Sequence, residues 1–168
     1  MSTTFTRLFN PADRDHVIHK LIIAGSPVAP GSNSILHWRI YAVIHKRASV
    51  LFDFIPGGAD GRTGVLAVKS VDYEVTFSAA AMFSVAMIKQ ITASALLDFF
   101  TYHKLDRYKF DDTGSGCLYW CCVALSKLEA AGAVPAGSVQ RFEAYMAQLN
   151  AGNPARFPLP SRHRGTFY

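Results

Sequence analysis

Between residues 34 and 45 apolar and mixed positions alternate without a break, and no other stretch constrains the fold as tightly. Leu36, Trp38, Ile40, Ala42 and Ile44 form a wholly apolar set, while Ile35, His37, Arg39, Tyr41, Val43 and His45 form a mixed one. A period of two reads as a β-strand, and a strand with one apolar face needs a sheet around it and a core on that side. Neighbouring segments supply the sheet. Residues 16–23 alternate like a strand near an edge, and residues 49–55 make a third strand that sets Asp53 among hydrophobic neighbours. Residues 24–33 read as a loop because of their glycines and prolines. Residues 56–64, PGGADGRTG, lack the Gly-Lys-Ser/Thr ending of a phosphate loop and lead into no helix, so they read as a hairpin connection. A long strand bent near Ser70 follows over 65–77, and residues 83–90 suit a strand or a helix.

The second half changes period. Thr92 is placed to cap a helix over 93–104, which carries Leu96, Leu97, Phe99, Phe100 and His103. Turn residues at 111–116 then lead into a helix in which Leu118, Cys121, Cys122, Leu125 and Leu128 recur at three- and four-residue steps, with Gly132 as its stop. A last helix, capped by Ser138, runs to about residue 150, and an irregular Pro- and Arg-rich tail follows. Strands first and helices second, with antiparallel pairing, make an α+β protein. At 168 residues, half of them hydrophobic, the chain fits one domain, with a core over about 15–150 and a basic tail over 151–168.

Composition removes several function classes. Only 17% of residues are charged, which argues against disorder. Residues 1–10 lack the apolar segment of a secretion signal, and the most apolar run, 79–88, is about half of what a bilayer span needs. Three cysteines, two of them adjacent, build no disulfide framework. The expectation is a soluble cytoplasmic protein without a membrane span. The net charge of +5 owes part of its excess to Arg156, Arg162 and Arg164 in the tail. It fits a solvated basic tail, or contact with an anionic substrate or RNA, and no RNA-binding motif sharpens the choice.

Cys117 is where chemistry is expected. It opens a helix, where backbone N–H groups are free and the dipole favours negative charge, so a thiol there is more readily a thiolate. The same N–H groups can hold an oxyanion. A small buried hydrophobe at a helix start would look the same by spacing alone. A nucleophile requires a base, and six histidines are available. His16 and His19 lie at the start of an edge strand, His103 near a helix end and His163 in the tail. His37, on a central strand, is the strongest candidate, and Arg39 and Tyr41 beside it would contact the substrate. Asp53 on the next strand would orient its imidazole, or would pair with Arg39 instead. Tyr119 and Trp120 would flank the site and stack on a planar substrate, unless they pack in the core. Cys121 and Cys122 read as core fillers. Without Cys-x-x-Cys pairs, or histidine pairs near the cysteines, no metal is expected, and no cofactor either.

Two resemblances attach to these residues. His37-Trp38-Arg39-Ile40-Tyr41, with a later cysteine opening a helix, resembles the His-Trp-x-x-Tyr strand and nucleophile of the circularly permuted papain-like enzymes, the group of lecithin:retinol acyltransferase and its NlpC-type relatives. The chain departs from them in having Gly116 before Cys117 and Leu118-Tyr119 after it, where those enzymes usually carry Asn and a Glu-His pair. The segment Gly-Cys-Leu-Tyr-Trp, in a helix ending Leu-Glu-Ala-Ala-Gly, is similar to a family of small fungal proteins over about residues 15–150. The first resemblance implies a papain-like fold and thiol-dependent acyl transfer, hydrolase or acyltransferase, on a small molecule or peptide. Cys117 would be the nucleophile and His37 the base. Two other classes stay open: a fungal secondary-metabolite enzyme on the same fold, a cyclase or one using aminoacyl-tRNA, and a catalytically inactive binding module.

Overall fold

A computed structural model describes residues 3–29 and 35–168. Six strands, β1 (Thr4–Leu8), β2 (Lys20–Pro27), β3 (Leu36–His45), β4 (Ala48–Pro56), β5 (Gly64–Val71) and β6 (Ala81–Ala86), form one sheet in the order β1-β5-β4-β3-β2-β6. Three helices follow: α1 (Ala93–Tyr102), α2 (Cys117–Ala130) and α3 (Ser138–Gly152). A short pair, β7 (Tyr108–Lys109) and β8 (Thr166–Phe167), ties the end of the chain to the approach of α2. The class is α+β, as the order of periods implies. Among the described residues no helix is long and apolar enough to cross a membrane.

The apolar face of β3 does what its pattern demands. Leu36, Trp38, Ile40, Ala42 and Ile44 lie in the main core with Leu96, Phe100, Trp120, Leu125 and Phe142 from the three helices. The opposite face covers a smaller core, in which Ile22, Ala24, Tyr41, Val43 and Leu51 pack with Val71, Tyr73, Val75 and Ala79. β3 is therefore an interior strand covered on both faces, and α2 packs on it.

Several expectations need correcting. The sheet is mixed, because β1 pairs parallel to β5. The first residues hold a strand that their polar sequence hid: β1 is largely exposed, so no apolar face marks it. The strand expected over 16–23 begins at Lys20 and runs on to Pro27, through glycine and proline read as loop. Gly25 is required within it, since a Cβ there would lie 2.8 Å from Cε2 of the Trp38 indole. The proposed loop over 24–33 therefore starts later, and its residues 30–33 lie outside the described residues, as does Ser34 of the second strand. The strand expected to reach residue 77 stops at Val71, and 83–90 resolves into the end of β6 and a turn. Thr92 caps α1 as expected, its hydroxyl accepting from the Ala95 amide. Ser138 is not the cap of α3; it is the first helical residue, with Gly137 before it.

Candidate active site

One irregularity in the sheet makes the site. Pairing of β3 with β4 runs from His45↔Ala48 to Ile40↔Phe52 and goes no further, so residues 36–39 have no β4 partner on that edge. The start of α2 takes the vacated place. The Trp38 amide donates to Sγ of Cys117 at 3.3 Å, and Sγ is 3.9 Å from the Leu36 carbonyl. Helix α2 begins at Cys117, whose amide is among the first-turn N–H groups with no partner inside the helix. Gly116 caps it at φ 134°, a conformation that favours glycine, and a Cβ there would sit 2.5 Å from the Tyr108 hydroxyl. That hydroxyl donates to the Gly116 carbonyl at 2.9 Å and accepts from the Gly165 amide at 2.8 Å. Burial pushes the Tyr108 phenol up, so it remains a neutral donor.

His37 and Arg39 share a face of β3, two residues apart, and converge on one carboxylate. Nε2 of His37 is 2.6 Å from Oδ1 of Asp53, and Nε of Arg39 donates to Oδ2 at 3.1 Å. Asp53 thus fills both of its expected roles at once, orienting the imidazole and pairing with Arg39. Burial works against its charge, but the hydrogen bond and charge of His37, with Arg39 behind them, hold it below the ordinary carboxylate value. For His37, burial also opposes the charged form. The hydrogen bond to Asp53 and the hydrogen-bonding and coulombic influence of Cys117 outweigh it and raise the imidazole to about 9. A carboxylate only accepts, so Nε2 carries a hydrogen and Nδ1 is the nitrogen left for the thiol.

This pair has a consequence for stability. The folded His37 value lies above the ordinary 6.5, so its contribution is complete below about 6.5 and is lost as the pH rises through about 9. Asp53, held low, contributes above its unfolded value and loses that contribution in acid. Thermal melts of the protein should therefore show a fall in melting temperature across the 6.5–9 window, and His37→Gln should flatten that limb. An unchanged alkaline slope in the variant would show that the pair contributes nothing to folding.

A cavity of about 230 Å³ opens beside Cys117 and His37. Its apolar wall includes Val28, Ile35, Leu36, Leu118, Pro158 and Leu159. The tail forms part of this wall, which corrects the view of it as an irregular appendage. His163, set aside in the sequence as a tail residue, lines the same cavity, with Nδ1 3.0 Å from Oδ2 of Asp111. Nothing in the spacing of the tail pointed there; the turn chemistry around Asp111 was the one available signal. The other carboxylate oxygen of Asp111 accepts from the Thr113 and Ser115 amides, which shapes the turn into α2.

Two expected substrate contacts do not hold. Trp120 is fully buried among Phe54 and Phe100, and its indole N–H donates to the Leu105 carbonyl at 2.7 Å, because the helical turn after Cys117 points into the core. Tyr41 is likewise fully buried, in the second core. Tyr119 is partly covered by the tail: Arg164 lies 4.8 Å over its ring and reaches its hydroxyl. Arg39 is committed to Asp53. Cys121 is fully buried, which drives its thiol well above the ordinary range, and burial pushes Cys122 up to about 12. Cys121 is a core residue, as expected, and Cys122 is half-buried and packs against that core. Among the described residues no group of histidines, cysteines and carboxylates could hold a metal.

Fold and site together define an α+β domain in which a helix-start cysteine, a strand histidine and a neighbouring aspartate meet at a cavity. Residues 21–168 match the family model for DUF7770, a domain of unknown function, and the chain belongs to that family. No curated protein and no solved structure matches it.

Proposed function

We propose that the protein catalyses thiol-dependent acyl transfer on a papain-like framework, with Cys117 as nucleophile, His37 as its proton partner and Asp53 as the group that fixes the imidazole. The observation that carries this reading is the Asp53–His37 hydrogen bond, on a ring that carries its proton at neutral pH, with the Cys117 sulfur at a helix start beside it. The chain order, histidine strand before cysteine helix, also fits the circularly permuted arrangement.

The chemistry follows from these positions. The sulfur, its proton passed to Nδ1 of His37, attacks an ester, thioester or amide carbonyl in the cavity. An S–C bond forms, and the carbonyl oxygen takes up negative charge within reach of the free N–H groups of α2. The C–X bond then breaks as His37 gives its proton to the leaving group, and an acyl-Cys117 thioester remains. Throughout, Asp53 holds the ring and balances its charge.

Brief iodoacetamide treatment at pH 6, read by peptide mass mapping, tests the reading. Cys117 should be alkylated selectively, because Cys121 is buried and burial holds the thiols of both Cys121 and Cys122 protonated. His37→Gln should slow that labelling. Failure of Cys117 to label, or a rate indifferent to His37, would remove the thiolate on which the mechanism depends.

A further inference from the structure

We infer that His163, held by Asp111, is a second catalytic base that deprotonates a hydroxyl acceptor during release of the acyl group. The inference rests on the thiol reading above and concerns its second half-reaction. Asp111 is held below the ordinary carboxylate value: burial opposes the charge, and its bonds to Thr113, Ser115 and His163 outweigh burial. An ionised carboxylate can only accept, so Nδ1 of His163 carries the hydrogen toward Asp111, and Nε2 is the nitrogen left for an acceptor in the cavity. The two imidazoles are complementary. His37 bonds Asp53 beside the sulfur and suits the departure of a leaving group, whereas His163 bonds Asp111 and is a separate imidazole lining the same cavity.

The position of His163 is built rather than incidental. Downstream, the Gly165 amide is bound to the Tyr108 hydroxyl, and β8 pairs with β7. Upstream, the Asn150 side chain donates to the Phe157 carbonyl. The segment is thus anchored on both sides and set against the same cavity as Cys117. Among the described residues lining that cavity, His37, His163 and Cys117 are the only titratable ones. Among the described residues its lining holds no lysine, arginine or carboxylate and is mostly apolar, which suits an uncharged acyl group and acceptor. A neutral amine attacks a thioester without prior loss of its proton. Water or an alcohol does not attack well unless a base removes the proton, and this is the need His163 meets.

The step balances as follows. The acceptor oxygen attacks the acyl-Cys117 carbonyl while its proton moves to Nε2 of His163. The new O–C bond forms, the C–S bond breaks, and sulfur leaves with the electron pair as thiolate. His163 then releases its proton to solvent and His37 regains one, which restores the resting pair.

Acylation of Cys117 by 4-nitrophenyl acetate, followed by intact-mass measurement of the acyl-enzyme, provides the test. In His163→Asn the amide NH₂ replaces Nδ1–H toward Asp111 while the second ring nitrogen is gone. The acyl-enzyme should form at close to the normal rate yet survive roughly 100-fold longer in water or added 1-butanol. Hydroxylamine, which needs no base, should still clear it at the normal rate, and added imidazole should shorten its life. His163→Gln, checked by circular dichroism, serves as the second variant should the Asn protein fold poorly. A normal acyl-enzyme lifetime in the variants, or equal slowing of hydrolysis and hydroxylaminolysis, would overturn the base role and leave the thiol reading standing. A wild-type protein that never forms an acyl-Cys117 adduct would overturn both.

Discussion

Cys117→Ser should abolish turnover of an activated ester while the melting temperature stays within a few degrees of wild type. The sulfur occupies the first position of α2, half-buried, with the Trp38 amide donating to it and the His37 imidazole in hydrogen-bonding reach. A serine hydroxyl is of similar size and still accepts a hydrogen bond there, so the stability change should not exceed about 1 kcal/mol, or about 2–4 °C. The chemistry is not so tolerant, because a hydroxyl at neutral pH is almost wholly protonated and a far weaker nucleophile. Cys121→Ser should behave in the opposite way. That side chain is fully buried in the main core, and a hydroxyl without a partner there costs about 1–3 kcal/mol while leaving the site intact. Turnover and thermal melts of both variants decide the matter. Full activity in Cys117→Ser would reduce the residue to a small hydrophobe at a helix start.

Asp53→Ala should damage both function and folding. Its carboxylate is buried and is shared by His37 and Arg39, so its removal leaves two cationic groups without their counter-charge. Breaking a buried ion pair from one side costs roughly 3–5 kcal/mol. Arg39 retains some access to solvent, which places the expected loss at the lower end. Turnover should fall by about two to four orders of magnitude, since the imidazole loses both its fixed tautomer and its stabilised charge. Asp53→Asn separates the two effects. It preserves the shape and can still accept from Arg39, but it no longer favours the imidazolium, so the alkaline limb of the activity profile should move to lower pH. An Asn variant with normal turnover and a normal pH profile would make Asp53 a partner of Arg39 and nothing more.

How far these features could be read in the sequence depended on whether burial left a periodic trace. β3 was legible because it is covered on both faces and its two sides differ in polarity. His37, Arg39 and Asp53 could be grouped for the same reason: positions two apart on a strand share a face, and an acid between two phenylalanines needs a partner. The Thr92 cap and the start of α2 were legible from local hydrogen-bonding chemistry. Trp120 was not. Its place beside Cys117 suggested the site, but it lies one turn further into α2, where Phe54, Phe100 and the Leu105 carbonyl receive its ring, and it went to the core. β1 and the tail were hidden for another reason. Their positions rest on long-range backbone pairing and single side-chain bonds, such as Tyr108 to Gly165, which leave no pattern in the local sequence.

The unpaired edge of β3 gives the cysteine a second identity. In a continuous sheet the Trp38 amide would be answered by the carbonyl of a neighbouring strand; in this protein a sulfur answers it. The proposed nucleophile therefore stands in for a missing piece of backbone. Thiol, thiolate and thioester differ greatly as acceptors, so the proposed reaction would change a contact of the sheet itself. Whatever happens at that sulfur is registered one bond away, in the strand that carries the histidine.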